Sequence, residues 1–176
     1  MPRALAVITA LLWLAGFAAP EALRAVLLIL PLPALAVLAT LDSTPGSAAL
    51  RVTGGAARTL TWRGPVGFAL LAAPASSAVL RDLLSGQVGS AAALLGAYAF
   101  MAALALTLGA LGTAPVTIEG PALLLWYVGP LSGLPALNYA SAALLPFTLV
   151  ITVALAGVLG FVHGRAARAP LPWGRA

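Results

Sequence analysis

Few side chains in this sequence could take part in acid–base or nucleophilic chemistry. The 176 residues include one histidine, four acidic residues and nine arginines, with no lysine and no cysteine. Without cysteine there is no thiolate nucleophile and no Cys-type zinc site, and without lysine there is no P-loop lysine and no Schiff base. We therefore expect neither a metal site nor a cofactor. If the protein uses ATP, another chain must hydrolyse it.

One serine and one histidine could in principle form a catalytic pair. They are Ser132, in the sequence GPLSG, and His163. An intramembrane serine hydrolase needs such residues on neighbouring helices within hydrogen-bond distance. The elements that would carry them are predicted to place Ser132 near the external face of a membrane and His163 near the cytoplasmic face, about 30 Å apart. We expect no enzymatic activity, and an intramembrane hydrolase remains the minor alternative.

The composition predicts whether these elements fold in water or in a lipid bilayer. Hydrophobic residues make up 62% of the chain and charged residues 7%, and the mean hydropathy is +1.07. Soluble domains have about 45 to 50% apolar and about 25% charged residues. The sequence thus predicts an all-α integral membrane protein with a single transmembrane domain over residues 1–176. The arginines are scattered between apolar runs, so nucleic acid is not an expected partner.

Six apolar stretches could each form a transmembrane helix. Pro31 and Pro33 should kink the second, with neighbouring helices supplying partners for the freed carbonyl groups. With all six crossing and both termini cytoplasmic, Arg24 and Arg81 lie outside and the other seven arginines inside, in agreement with the positive-inside bias. If the fifth turned back, five of the nine would lie outside. The predicted stretches are 4–19, 22–41, 65–80, 89–111, 121–136 and 142–162, with a cytoplasmic loop at 42–64, in a multi-pass protein of the plasma membrane.

The fifth stretch contains the sequence LLLWYVGPLSGLPALNY, residues 123–139. Glycine and proline at this density break a helix, so we expect the helix to end at Gly129 and Pro130 and residues 131–140 to be irregular or re-entrant near the external surface. Trp126 and Tyr127 are interpreted either as aromatics of the membrane interface or as the lining of an external gate. The gate would also include Gly129, Pro130 and Asn138.

These residues resemble a stretch near the end of bacterial ABC-2 type permeases, the membrane subunits of ABC exporters. The order of apolar stretches is also similar, although Asn138 and Ser132 replace the acidic and amide residues of the family pattern. The resemblance implies a permease without its own nucleotide site, which pairs with a second copy or a homologue in the lipid bilayer and binds a cytoplasmic ATP-binding subunit. The alternative is a small accessory membrane subunit that packs against a larger transporter.

The loop at 42–64 is the expected docking site for the ATP-binding subunit. Pro45 suits the first position of a short helix that ends at Gly54 and Gly55. The resemblance implies that the ATP-binding subunit docks on this helix, at Pro45, Leu50, Arg51 and Val52. Alternatively, the loop arginines hold the chain at the anionic inner leaflet.

Two weaker patterns concern helix packing and the substrate. Gly89, Ala93 and Ala97 let another helix approach closely, either within the chain or in a dimer. The apolar stretches contain hydroxyl groups and almost no charges, which disfavours ion-coupled transport and favours a lipid-like or amphipathic substrate. Glu119 is interpreted as a solvated residue just before the fifth helix.

Overall fold

The computed structural model describes residues 10–11, 13–14, 16–17, 24–29, 64–69, 71–111 and 115–168. Every regular element in these ranges is helical, which confirms the all-α prediction. The predicted docking residues, Pro45, Leu50, Arg51 and Val52, lie outside the described residues. The helices are α1 (Arg24–Ile29), α2 (Ser76–Leu84), α3 (Val88–Ala110), α4 (Pro115–Trp126) and α5 (Leu145–Arg168), with 3₁₀ turns at Ala73–Ala75 and Ala142–Leu144 and a π turn at Tyr127–Leu131.

Two helices within the described ranges are long and apolar enough to cross a membrane. They are Val88–Ala110, with a mean hydropathy of 2.0, and Ala142–Arg165, with 2.4. They correspond to the predicted fourth and sixth stretches. Their surroundings differ, because 61% of the apolar window of the first is buried inside the protein and only 11% of the second. Helix α3 is therefore central and α5 peripheral, and the arrangement with six crossings stays a prediction.

Helices α3 and α5 pack against each other and run in the same direction. A Cβ atom on Gly89 would lie 3.8 Å from Ala142, and one on Gly96 would lie 2.8 Å from Leu145. Further along, the Thr107 hydroxyl donates to the Leu155 carbonyl at 3.2 Å. Because residue numbers rise together along both helices, the chain between them must return. The 12 residues of α4 and the five of the π turn extend over about 25 Å and provide that return.

Small residues on α3 permit this close packing. Ala93 and Ala97 are fully buried in the chain, and Gly96 faces Leu145 so closely that a larger residue would require the leucine side chain to shift. The predicted close approach at Gly89, Ala93 and Ala97 is thus realised within the chain. Cα–H groups and short side chains let two backbones come together where lipid supplies no hydrophobic driving force.

The third apolar stretch continues further than predicted. Helix α2 extends to Leu84 and contains Arg81 and Asp82, which the sequence placed at the far end of the stretch. The Arg81 guanidinium lies 3.4 Å from the Asp82 carboxylate, which is only 1% exposed. The turn to α3 follows instead at Ser85–Gln87, where Gly86 adopts a φ of 76° that few other residues tolerate.

One proline-dependent contact joins α3 to α1. The backbone of Pro31 has no N–H group, so the helical partner of the Leu27 carbonyl, four residues earlier, is missing. The hydroxyl of Tyr98, fully buried on α3, donates to this carbonyl at 2.9 Å. Tyr98 thus supplies a partner to the carbonyl four residues before Pro31, whereas the predicted kink at Pro31 and Pro33 lies outside the described residues.

Candidate functional site

Helix α4 begins earlier than the sequence predicted, and a π turn follows it where the sequence predicted a break. It starts at Pro115, so Glu119 lies inside the helix rather than before it. Helical hydrogen bonding then continues through the π turn to Leu131, past the predicted break at Gly129 and Pro130. Helical residues therefore extend over 115–131, whereas the predicted membrane-crossing stretch is 121–136, and where the chain enters and leaves a membrane stays a prediction. The cause of the earlier start is that Thr117 and Glu119 are tolerated in a helix although they interrupt the apolar pattern.

The π turn follows from the missing donor at Pro130. With no N–H at this position, the hydrogen-bond register shifts by one residue, and the Ser132 N–H donates to the Tyr127 carbonyl five residues back at 2.9 Å. The Val128 carbonyl, which Ser132 would otherwise bond through its N–H, accepts the Ser132 hydroxyl instead. Both groups of Ser132 thus complete the end of the helix.

Residues 132–141, which we call the return segment, fold back against this π turn. The chain turns at Gly133, whose φ is 70° and whose N–H donates to the Gly129 carbonyl at 2.9 Å. The backbone of Leu137 then lies directly against Gly129, where a Cβ atom would sit 2.7 Å from the Leu137 carbonyl carbon. Only glycine fits at position 129, because the opposing atoms belong to the backbone and cannot rotate away.

The adjacent aromatics Trp126 and Tyr127 have different environments. Trp126 is buried, and its indole N–H donates to the Ala25 carbonyl of α1. Tyr127 is 57% exposed. Trp126 therefore joins α4 to α1 in the interior of the protein, and only Tyr127 is placed to contact solvent, lipid or another chain. A role for either residue in a gate stays a prediction.

Two polar atoms of the return segment are buried without a hydrogen-bond partner. They are the side-chain oxygen of the predicted site residue Asn138 and the hydroxyl of Tyr139, for which the described part of the chain offers no partner. The backbone of Tyr139 is held, since its carbonyl accepts from the Thr148 hydroxyl at 3.3 Å. Burial raises the pKa of the Tyr139 hydroxyl, so this group stays protonated and can donate. The sequence analysis did not select Tyr139, although its position beside Asn138 ahead of an apolar helix was a signal.

A cavity of about 470 Å³ lies between the return segment, α3, α4 and the start of α5. The rings of Phe100 and Tyr139 form one wall, with their centroids 5.5 Å apart. Among the described residues no charged side chain lines the cavity, so it suits an uncharged, apolar group. The other lining residues are Leu125, Ala136, Leu137, Leu144, Phe147, Thr148 and Ile151.

Ser132 and His163 are not brought together. Ser132 bonds the Val128 carbonyl at the end of α4, and the His163 Nδ1 atom is 2.9 Å from the Leu159 carbonyl of its own helix. The return segment contacts α5 at Thr148, and from there His163 is about 22 Å along the helix axis. Within the described ranges, no three His, Cys, Asp or Glu residues lie close enough to hold a metal ion.

Comparison of the chain with protein-family models, with curated protein sequences and with solved structures finds no match. The resemblance to ABC-2 type permeases therefore rests on the residues of the fifth apolar stretch and on the order of the apolar stretches.

Proposed function

We propose that this protein is a membrane-spanning permease subunit of an ATP-driven exporter, similar to the ABC-2 type, without a nucleotide site of its own. The observation that carries the proposal is the set of contacts at the C-terminal end of α4. Pro130 shifts the hydrogen-bond register, Gly129 accepts the backbone of Leu137, and a cavity adjoins the segment that folds back. A helix that merely ended at a membrane surface would need none of these contacts.

The directions of the helices support a crossing by α4. Helices α3 and α5 are parallel, so α4 must carry the chain back across whatever layer they span. In the proposed topology both termini are cytoplasmic, and the π turn and return segment then lie at the external side. There they form the gate through which a substrate leaves, with Trp126, Tyr127, Gly129, Pro130 and Asn138 at or beside it.

The exposed surface of α5 supports contact with lipid and with a second permease copy. Large apolar side chains cover it, among them Phe147, Val150, Val153 and Phe161, each more than 60% exposed. The same surface favours the second candidate function, an accessory subunit packed against a larger transporter. The two proposals differ in one respect: only a permease subunit should bind the ATP-binding subunit directly.

The docking loop provides the experiment that separates them. The protein is purified in mild detergent from its own membrane, and bound ATP-binding subunits are detected by photolabelling with azido-ATP. Arg51→Glu should reduce the labelled partner about tenfold, as expected for a polar contact of 1 to 2 kcal/mol, with no change in the amount of membrane protein. Arg175→Glu, the same charge change in the C-terminal tail, serves as the control.

If no azido-ATP-labelled chain accompanies the unmodified protein, the permease proposal is wrong. Equal loss of partner and of membrane protein in Arg51→Glu would indicate misfolding rather than lost docking. The assignment of the docking site to this loop would then be wrong, whereas the proposed class of protein would still be judged by the result for the unmodified protein.

A further inference from the structure

The cavity beside the return segment differs from an ordinary lipid-facing groove in two ways. It reaches inward to Tyr139 and Thr148, which are 7% and 4% exposed, and it contacts four separate elements. Its volume of about 470 Å³ falls in the range of small-molecule sites, about 300 to 1,000 Å³. The cavity is open on the side of Phe147 and Ile151 and reaches buried residues on the other, so a ligand in it would be partly buried.

The lining excludes charged ligands. Of the described lining residues, Thr148 and Tyr139 alone have a hydroxyl group, and that of Thr148 already lies within hydrogen-bond distance of the Tyr139 and Leu144 carbonyls, at 3.3 and 3.1 Å. A charge placed among the remaining apolar walls would lose its hydration without gaining a partner. The buried part of the ligand must therefore be apolar.

The entrance of the cavity indicates where the ligand comes from. Phe147 and Ile151 line it and are 67% and 49% exposed, so they also belong to the outward apolar face of α5. In the proposed membrane arrangement that face contacts the alkyl chains of the bilayer. An alkyl chain is thus the apolar group that can enter from this side.

The return segment supplies polar groups at Tyr139, which lines the cavity, and at Asn138, which lies next to it in the chain but is not in the lining. The side-chain oxygen of Asn138 and the hydroxyl of Tyr139 lack partners among the residues described, and buried polar atoms without partners are uncommon in folded proteins. A hydroxyl group on a ligand could pair with them after a small movement of the segment. Residues 132–141 contain no charged side chain that would neutralise an ionic head group.

We propose that the cavity binds an uncharged amphiphile with a single alkyl chain and a hydroxyl-bearing head group, with the chain between α3, α4 and α5 and the head at Asn138 and Tyr139. This inference rests on the proposed function for the surrounding bilayer and names the class of substrate that the exporter would take.

The test is photolabelling of the full-length protein in phosphatidylcholine nanodiscs. The probe is a monoacylglycerol with a diazirine in its alkyl chain, and the labelled residues are located by peptide mass spectrometry. Label is expected on Leu125, Tyr139 and Thr148. Ala136→Trp, which adds an indole to the cavity wall, should reduce this labelling about tenfold. Val153→Trp, on the outward face of α5 and not in the lining, should leave it unchanged.

A second pair of probes tests the head group and the source of the chain. The same diazirine on a fatty acid or on a phosphatidylcholine should label outward residues such as Val150 and leave the cavity residues largely unlabelled. Asn138→Leu should abolish the preference for the monoacylglycerol over the fatty acid.

Label restricted to outward residues, or equal labelling of the cavity by all three probes, would overturn the inference. So would unchanged cavity labelling in both Ala136→Trp and a second filling variant, Ile151→Trp. Because binding is measured without the ATP-binding subunit, any of these results would leave the proposed function to be judged by its own experiment.

Discussion

Two tyrosines in the interior differ in what their hydroxyl groups bond. The Tyr98 hydroxyl donates to the Leu27 carbonyl, whereas the Tyr139 hydroxyl has no partner in the described part of the chain. Tyr98→Phe should lower the free energy of unfolding by about 1 to 3 kcal/mol, because it leaves a buried carbonyl that Pro31 cannot serve. Tyr139→Phe should raise it by up to about 1 kcal/mol, because it removes a buried polar atom that bonds nothing.

The measurement is the unfolding of each variant in mixed detergent micelles, monitored by tryptophan fluorescence. The same atom is removed from the same residue type in both variants, so differences in the unfolded state largely cancel. Losses of equal size at the two positions would mean that the Tyr139 hydroxyl has a partner in the native protein.

The contact between Gly129 and Leu137 predicts a second contrast. Gly129→Ala places a methyl group against the Leu137 backbone and should destabilise the protein by about 1 to 3 kcal/mol. Gly164→Ala in α5 is the control, because a Cβ atom there meets nothing within 4 Å. It should stabilise the helix by up to about 1 kcal/mol. The same unfolding assay measures both variants. An unchanged free energy of unfolding in Gly129→Ala would show that the packing of the return segment does not require glycine at this position.

At this scale the sequence could identify residues but not their surroundings. It selected Gly129 and Pro130 correctly as special positions, because glycine and proline act through the backbone and need no knowledge of neighbours. It could not distinguish Trp126 from Tyr127, since burial depends on how α4 is rotated against α1. Tyr139 was missed for the same reason, because its surroundings come from Phe100, which is distant in sequence, and from Thr148 on the following helix.

At the scale of elements, the π turn predicts the effect of restoring regular helical hydrogen bonding at the end of α4. Gly129→Leu combined with Pro130→Ala restores the backbone donor and blocks the approach of Leu137, so the helix should continue into the return segment. In the proposed function this displaces the external gate. Export should fail while the ATP-binding subunit still co-purifies, because the docking loop lies on the opposite side of the membrane.

Export from reconstituted vesicles at matched protein levels is the measurement, with Pro121→Ala as the control. That variant also restores a donor in α4 but lies away from the break, and it should export normally. Near-normal export by the double variant would mean that the break serves only to fit the chain to the membrane, a role whose loss costs fractions of a kcal/mol per Å of mismatch.

The sequence predicted that this element would break, but not the form of the break. A proline in an apolar helix must disturb the register, and that much follows from its covalent structure. Whether the result is a kink, an end or a π turn depends on what replaces the lost bond. Here the N–H and the hydroxyl of Ser132 bond the next two carbonyls, those of Tyr127 and Val128, and the pattern of glycines and prolines could not show that both would be satisfied locally.

At the scale of the whole molecule, hydropathy identified α3 and α5 and gave most of their boundaries. Six predicted crossings already give these two helices the same direction, but their packing against each other was beyond the hydropathy pattern. The interrupted α4, with its two internal breakers, has neither the length nor the uniform composition that marks a membrane-crossing helix. The proposal that it crosses the membrane rests on the contacts between its neighbours.

The most direct test is the location of four helix ends relative to the membrane. The chain contains no cysteine, so single cysteines can be introduced without removing any. Gln87→Cys and Ala143→Cys mark the first ends of α3 and of the helix that continues into α5, and Leu111→Cys and Gly164→Cys mark their last ends. All four positions are exposed in the structure. An impermeant maleimide in intact cells should label the first pair and should label the second pair only after the cells are opened. Labelling of Gln87→Cys together with Gly164→Cys in intact cells, or of all four variants, would contradict an account in which α3 and α5 cross the membrane in parallel and α4 carries the chain back.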